Sequence, residues 1–295
     1  MSTEEKHLSD IKALNEGSHG KPVGYNDFAG LLVTQKGPIL EILLNRPEAA
    51  NSLTGEMEVG IHEIFREAGD DDSVKVVVVR GAGKTFSAGH DLKEVADWFV
   101  ESDGQAQILR LQGVPALRRP WYFNKPVVAG VQGYVGPMAL IYLSMFDFII
   151  AAEGTRFSWE QARRGGVLPL STLMFRLPMG VYKKLTMMGG WFDADKAERL
   201  DLVQKVVPEG QLEDEVWRWA KELAKIPTAQ HVAMKRKIHR QYELMGLLSM
   251  LEPVHPGGHG TEEDFEFYRA LKEEGMAAAL KMRDDDFDID LAQIT

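Results

Sequence analysis

The stretch Val74-Lys-Val-Val-Val-Val79 puts apolar side chains on both faces of any strand it forms, and it runs into the glycine-rich segment Gly81-Ala-Gly-Lys-Thr-Phe-Ser-Ala-Gly-His-Asp-Leu92. A strand that is apolar on both sides needs cover on both sides, which a parallel sheet flanked by helices supplies. The arrangement recurs. Pro126 to Val131 is a second such run, followed by Val131-Gln-Gly-Tyr-Val-Gly-Pro-Met-Ala-Leu140, and Phe148 to Ala152 is a third. Strand, small-residue loop, helix and strand in repetition mark an α/β fold with a largely parallel sheet.

Other elements extend this centre in both directions. Leu31 to Thr34 and Ile39 to Leu44, separated by Lys36-Gly37-Pro38, predict a hairpin. Thr54 stands where it can cap a helix whose Met57, Ile61, Ile64 and Phe65 recur at helical spacing. Helices are expected from about Asp91, from Leu109 to Leu117 and near Pro178 to Met188, with a strand at Val203 to Val207. From Leu212 onward the pattern is almost wholly helical. The resulting division is a mobile N-terminal tail at 1–28, an α/β core at 29–215 and a helical region at 216–295, with the last boundary falling between 208 and 226.

Charge and composition narrow the partners. Lys and Arg number 34 against 44 Asp and Glu, a net charge of -10, which argues against a nucleic acid or an anionic membrane surface as general partner. The chain has no cysteine, so disulfides, cysteine-held metals and thiol nucleophiles are excluded. The polar start MSTEEKHLSDIKALNEG lacks the apolar core of a secretory signal, and no run reaches the ~18 apolar residues of a membrane helix, so a cytoplasmic protein without membrane association is expected.

The two glycine-rich loops carry the chemistry. Small residues let the main chain approach a ligand, and amides at a helix N-terminus donate to an oxyanion. Two such loops can aim two N–H groups at one carbonyl oxygen. Together with Asn45-Arg-Pro-Glu-Ala-Ala-Asn-Ser-Leu53, Leu200-Asp-Leu-Val-Gln-Lys-Val-Val-Pro208 and the closing stretch from Lys272-Glu-Glu-Gly-Met-Ala-Ala-Ala-Leu-Lys281 to Phe287, they resemble the crotonase superfamily, the enoyl-CoA hydratase/isomerase family, over residues 30 to 287. Their order along the chain carries the likeness.

The resemblance implies a spiral of ββα units, a helical C-terminal trimerisation region, and a homotrimer or dimer of trimers. It implies an acyl-CoA thioester as ligand, with coenzyme A entering as part of the substrate and no separate cofactor or metal. The amides of His90 and Met138 would hold the thioester oxygen while an enolate forms. Positions Arg46, Asn51, Ser52, Ala88, Gly89, Asp91 and Leu92 would bind or shape the coenzyme A site.

The sequence departs from that family's pattern where proton transfer is concerned. The register of the second loop puts Ile141 where the first catalytic glutamate is expected, and Phe157-Ser-Trp-Glu-Gln-Ala puts Gln161 where the second is expected, with Glu160 one residue earlier. Neither isoleucine nor glutamine changes protonation state, so simple hydration is disfavoured against isomerisation, C–C cleavage or hydrolysis. The alternative is a non-catalytic acyl-CoA-binding or assembly subunit. Candidate acid/base groups are Glu160, otherwise an exposed acid on a turn; the His90 imidazole, otherwise facing solvent or the coenzyme chain; and Tyr142, otherwise core packing.

Three further features are weighed. Met234-Lys-Arg-Lys-Ile-His-Arg240 is a solvated helix face or a phosphate-binding one. His255-Pro-Gly-Gly-His259 reads as a loop rather than a metal pair. Trp98, Trp121, Tyr122 and Phe123 belong either to the core or to the wall of an acyl pocket.

Overall fold

The computed structural model describes residue 25 and residues 28–101, 119–166, 172–247 and 261–295. The expected helix at 109–117, the pair His255 and His259, most of the 1–28 tail and the Trp98 side chain lie outside the described residues. In chain order the strands are β1 (Leu31–Lys36), β2 (Ile39–Leu44), β3 (Val76–Gly81), β4 (Val127–Val131), β5 (Tyr134–Val135), β6 (Phe148–Ala152), β7 (Arg156–Ser158), β8 (Trp191–Asp193) and β9 (Lys205–Val207). The larger helices are α1 (Gly55–Asp70), α2 (Leu92–Glu101), α3 (Pro137–Ser144), α4 (Leu212–Lys225), α5 (Thr228–Leu244), α6 (Glu262–Glu273) and α7 (Met276–Asp284).

The predicted hairpin forms: β1 and β2 pair antiparallel from Leu31 opposite Leu44 to Lys36 opposite Ile39, turning at Gly37 with φ +59°. Every other pairing in this six-stranded sheet, ordered β1-β2-β3-β4-β6-β9, is parallel. A smaller sheet, β5-β7-β8, stands beside it. Val76, Val77 and Val78 of β3 are fully enclosed, so each contributes about 2 kcal/mol of apolar transfer energy to a sheet covered on both faces.

One face packs on α1 and α3. Helix α1 starts where its sequence said it would, with the Thr54 hydroxyl accepting from Met57 N at 3.2 Å, and it buries Met57, Ile61, Ile64 and Phe65. The other face carries α4, whose Leu212, Val216, Trp217 and Ala220 meet Ile39, Val76, Val78, Val128 and Ile150. A division at 216 cuts through this helix, which belongs to the core because the second sheet face has to be covered.

Helices α6 and α7 return to α2, and Phe267, Tyr268, Leu271 and Ala279 form a separate apolar cluster with Val95 and Ala96. The end of the described chain is thereby brought next to the loop that starts α2. Among the described residues no helix is long and apolar enough to cross a membrane.

Candidate functional site

The loop after β3 and the loop after β4 lock together. Phe86 N donates to Gln132 O at 2.8 Å, Ser87 N to Tyr134 O at 3.4 Å and Gly136 N to Ser87 O at 2.9 Å, so the two loops run as a short parallel ribbon. Glycine is required where they touch, since a β-carbon on Gly136 would run into the Ala88 carbonyl. Buried side chains fix the rest. Asn51 Nδ2 donates to Ala82 O at 2.8 Å and Thr85 O at 2.7 Å, while its Oδ1 accepts from Arg46 N at 2.8 Å. Gln132 Nε2 donates to Gly81 O and Gly83 O at 2.7 and 2.9 Å.

This bracing sets the direction of two amides. Leu53 N donates to Gly89 O at 2.7 Å and Asp91 N donates to Leu53 O at 2.8 Å. In a planar trans peptide the N–H points opposite to the preceding carbonyl, so the His90 N–H faces away from Leu53. Gly89, at φ +92°, carries the chain round toward α3, and a β-carbon on it would stand 3.3 Å from Met138 N. Met138 is the second residue of α3, where an amide has no acceptor within the helix. Pro137 precedes it at the first position, which suits a residue without an N–H.

A cavity of about 820 Å³ opens beside these amides, within the size range of small-molecule sites. One wall is Arg46, Ser52, Ala88, His90, Asp91, Leu92 and Met138. The second is the turn Glu160–Arg164 with Tyr134 and Arg156 behind it, and the third is Met276, Leu280, Arg283 and Asp284 of α7.

Glu160 is the centre of the second wall. Its Oε2 accepts from the Tyr134 hydroxyl at 2.6 Å and its Oε1 from the Ser158 hydroxyl, and Arg156 stands 4.0 Å away. Burial, reinforced by the Glu160 charge, pushes the Tyr134 phenol far above its ordinary range, so Tyr134 stays a donor. Gln161 is buried beside it, and neither polar atom of its carboxamide has a hydrogen-bond partner.

Two other cavity carboxylates, Asp91 and Asp284, are tied to guanidinium groups. Arg46 holds Asp91 Oδ2 through both terminal nitrogens at 3.0 Å, and Ser52 Oγ donates to the same oxygen at 3.1 Å. Burial opposes ionisation of Asp91, but the Glu94 amide and Arg46 outweigh it and hold the carboxyl below its usual range. Asp284 accepts from Arg163 at 2.9 Å and from Arg283, and against burial these donors likewise hold it low.

The structure therefore brings Arg46, Ser52, Ala88, His90, Asp91, Leu92, Met138, Glu160 and Gln161 to one cavity. It does not bring Asn51 there: its side chain is fully enclosed and spent on the main chain, so it shapes the first loop instead of meeting a ligand. Gly89 acts through its turn. Tyr142 lies in the core against a void of about 20 Å³ with Phe65 and Phe146, away from the cavity. Ile141 is buried in the same core.

Trp121 stacks on His239 at 4.5 Å and Phe123 packs edge-on to Phe65 at 5.0 Å, so these two rings are core and not acyl wall. In the basic stretch, Lys235 is buried and donates to Asp147 at 2.8 Å and Lys125 O at 3.0 Å. Burial and the Lys235 charge push His239 down to about 4.

Sequence reasoning missed Tyr134, Arg156, Arg283, Asp284 and Glu58, the last of which places Oε1 3.1 Å from His90 Nε2.

Residues 34–253 match the sequence profile of the enoyl-CoA hydratase/isomerase family. The carnitinyl-CoA dehydratase of Salmonella enteritidis PT4 is 32% identical over 212 residues, 70% of this chain and 78% of that protein. A solved enoyl-CoA hydratase/isomerase from Xanthobacter autotrophicus Py2 superposes with a TM-score of 0.80 at 28% identity, covering 88% of this chain and 99% of its own. One from Mycobacterium paratuberculosis, at 22% identity, TM-score 0.75 and coverages of 83% and 100%, speaks for the fold alone.

Proposed function

Because this chain belongs to the enoyl-CoA hydratase/isomerase family, whose members act on acyl-CoA, we propose that it moves a double bond within an acyl-CoA thioester by way of an enolate. The observation that carries this reading is the convergence of the His90 and Met138 main chains, from two interlocked loops, on the wall of one cavity. Two amides aimed at the thioester oxygen stabilise the charge that gathers there, each by roughly 3 to 4 kcal/mol. Such a hole needs no particular side chain, which is how Met138 can serve where glycines are common.

Glu160 is the proton carrier of the acyl chain in this proposal. Asp91 and Asp284 are held by guanidinium groups at hydrogen-bond distance, whereas Glu160 accepts from two neutral hydroxyls and has Arg156 4.0 Å away. Isomerisation relocates one proton and adds no water. It therefore suits a chain that carries Ile141 and Gln161 in the registers where glutamates are expected better than hydration does. Assembly as a homotrimer or dimer of trimers is part of the proposal. It is supported by exposed Met234, Ile238 and Met245, which share one face of α5 and its end.

Turnover of a panel of 3-enoyl-CoA, 2-enoyl-CoA and β-ketoacyl-CoA thioesters tests the reading. Isomerisation of 3-enoyl-CoA that drops about 100-fold in Glu160→Gln, with unchanged thioester binding, is the expected result. Gln161, with its carboxamide unpaired, favours a second reading, a subunit that binds acyl-CoA without converting it; tight binding with no turnover of any ester would establish that one.

A further inference from the structure

We propose that the imidazole of His90, held by Glu58, is the base that removes the α-proton of the thioester; this rests on the thioester reading above. Glu58 lies in the first turns of α1, 6% exposed, with Oε1 3.1 Å from His90 Nε2. Both ends of this pairing are anchored. The Glu94 carboxylate accepts from Gly55 N at 3.1 Å at the start of α1, and Leu53 bridges the His90 main chain on both sides. His90 lines the cavity, and its side chain is 17% exposed against 6% for that of Glu58.

A buried carboxylate facing Nε2 selects the tautomer that carries its proton there and donates it to Glu58, which leaves the lone pair on Nδ1. Nδ1 belongs to the same residue as the amide that would hold the thioester oxygen. A substrate whose oxygen accepts from the His90 N–H therefore presents its α-carbon, two bonds from that oxygen, to the neighbourhood of the ring. In the step, the α-carbon–hydrogen bond breaks, the proton bonds to Nδ1, and the electron pair spreads onto the thioester oxygen held by the two amides. The resulting imidazolium faces the Glu58 carboxylate. A proton from solvent then passes through the Glu160 carboxylate to the γ-carbon, which returns Glu160 to the carboxylate held by the Tyr134 and Ser158 hydroxyls, and the imidazolium gives its proton to solvent.

His90 is thus the catalytic residue and Glu58 its positioning residue. The charged neighbours do not duplicate the role: Asp91 is tied to Arg46, and Glu94 is engaged at Gly55.

The test is wash-in of deuterium at the α-carbon of butyryl-CoA by the full chain in D2O, alongside isomerisation of 3-hexenoyl-CoA. Expected are a loss of exchange of about 100-fold or more in His90→Gln with butyryl-CoA affinity kept, and partial recovery of His90→Ala by added imidazole. Glu58→Gln should lose about tenfold, with Glu58→Asp restoring part of it. If Glu58→Gln does not fold, the His90 variants decide. Exchange and isomerisation in His90→Gln within threefold of wild type would overturn the dyad and leave the isomerase reading standing. A wild-type protein that does neither would remove that reading, and the dyad with it.

Discussion

The two loops and the turn at Glu160 are opposite walls of one cavity, and they are built in opposite ways. In the loop wall the proposed oxyanion donors are main-chain amides, and around them the side chains of Asn51, Gln132, Ser87 and the Arg46–Asp91 pair are engaged as braces, with the His90 imidazole paired to Glu58 beside them. In the turn wall the reactive groups are side chains. Several polar atoms there have no hydrogen-bond partner, among them both of Gln161 and the Nε atoms of Arg156 and Arg163. A wall that works through its backbone is specified by shape and tolerates little change in the braces, while an amide donor such as that of Met138 asks for no particular side chain. A wall that works through side chains keeps bonding capacity for a ligand and gives up some stability for it.

The largest effect expected from breaking this contrast is at Gly136. Gly136→Ala drives a β-carbon into the Ala88 carbonyl, so the ribbon between the loops has to part. The expected outcome is loss of several kcal/mol in denaturant unfolding and loss of acyl-CoA binding. Asn51→Ala follows, at about 3 kcal/mol of stability, because it orphans two buried carbonyls and the Arg46 amide; chemical denaturation measures it. Tyr134→Phe removes one of the two hydroxyls on Glu160, and turnover should fall about tenfold with thermal stability little changed. Gln161→Leu is the smallest and has the opposite sign. It should raise stability by about 1 kcal/mol by removing two unpaired polar atoms, and weaken thioester binding as measured by calorimetry. A destabilised Gln161→Leu would mean the carboxamide is satisfied within the fold and the contrast between the walls is wrong.

Much of the fold was legible because its signals are local. Apolar runs on both faces gave the parallel strands, Gly37 and Pro38 the hairpin turn, and Thr54 the start of α1. The close approach of the two loops was legible since small residues at a strand-to-helix turn let main chains meet. What escaped depends on long-range pairing. Glu58 has the sequence signature of an acidic first-turn residue on an amphipathic helix, and only the passage of the 87–91 loop over α1 turns it into a partner for His90. Arg283 and Asp284 sit far along the chain from Glu160 and meet it through the packing of α6 and α7 on α2, a contact no periodicity announces. Asn51 was misplaced for the converse reason: a polar side chain beside a glycine-rich loop suggests a ligand, and nothing in the sequence says that main-chain carbonyls have already claimed it.

The third wall has a bearing on biosynthesis. Helix α7 begins at Met276, about 190 residues after the His90 loop, so at typical translation speeds roughly ten to forty seconds separate the emergence of the two. Throughout that interval the nascent chain displays its two interlocked loops with one side of the chamber missing. The competence proposed here, to hold a thioester, therefore arrives late and all at once, and a fragment stopping short of residue 276 is expected to carry most of the fold as an inert vessel.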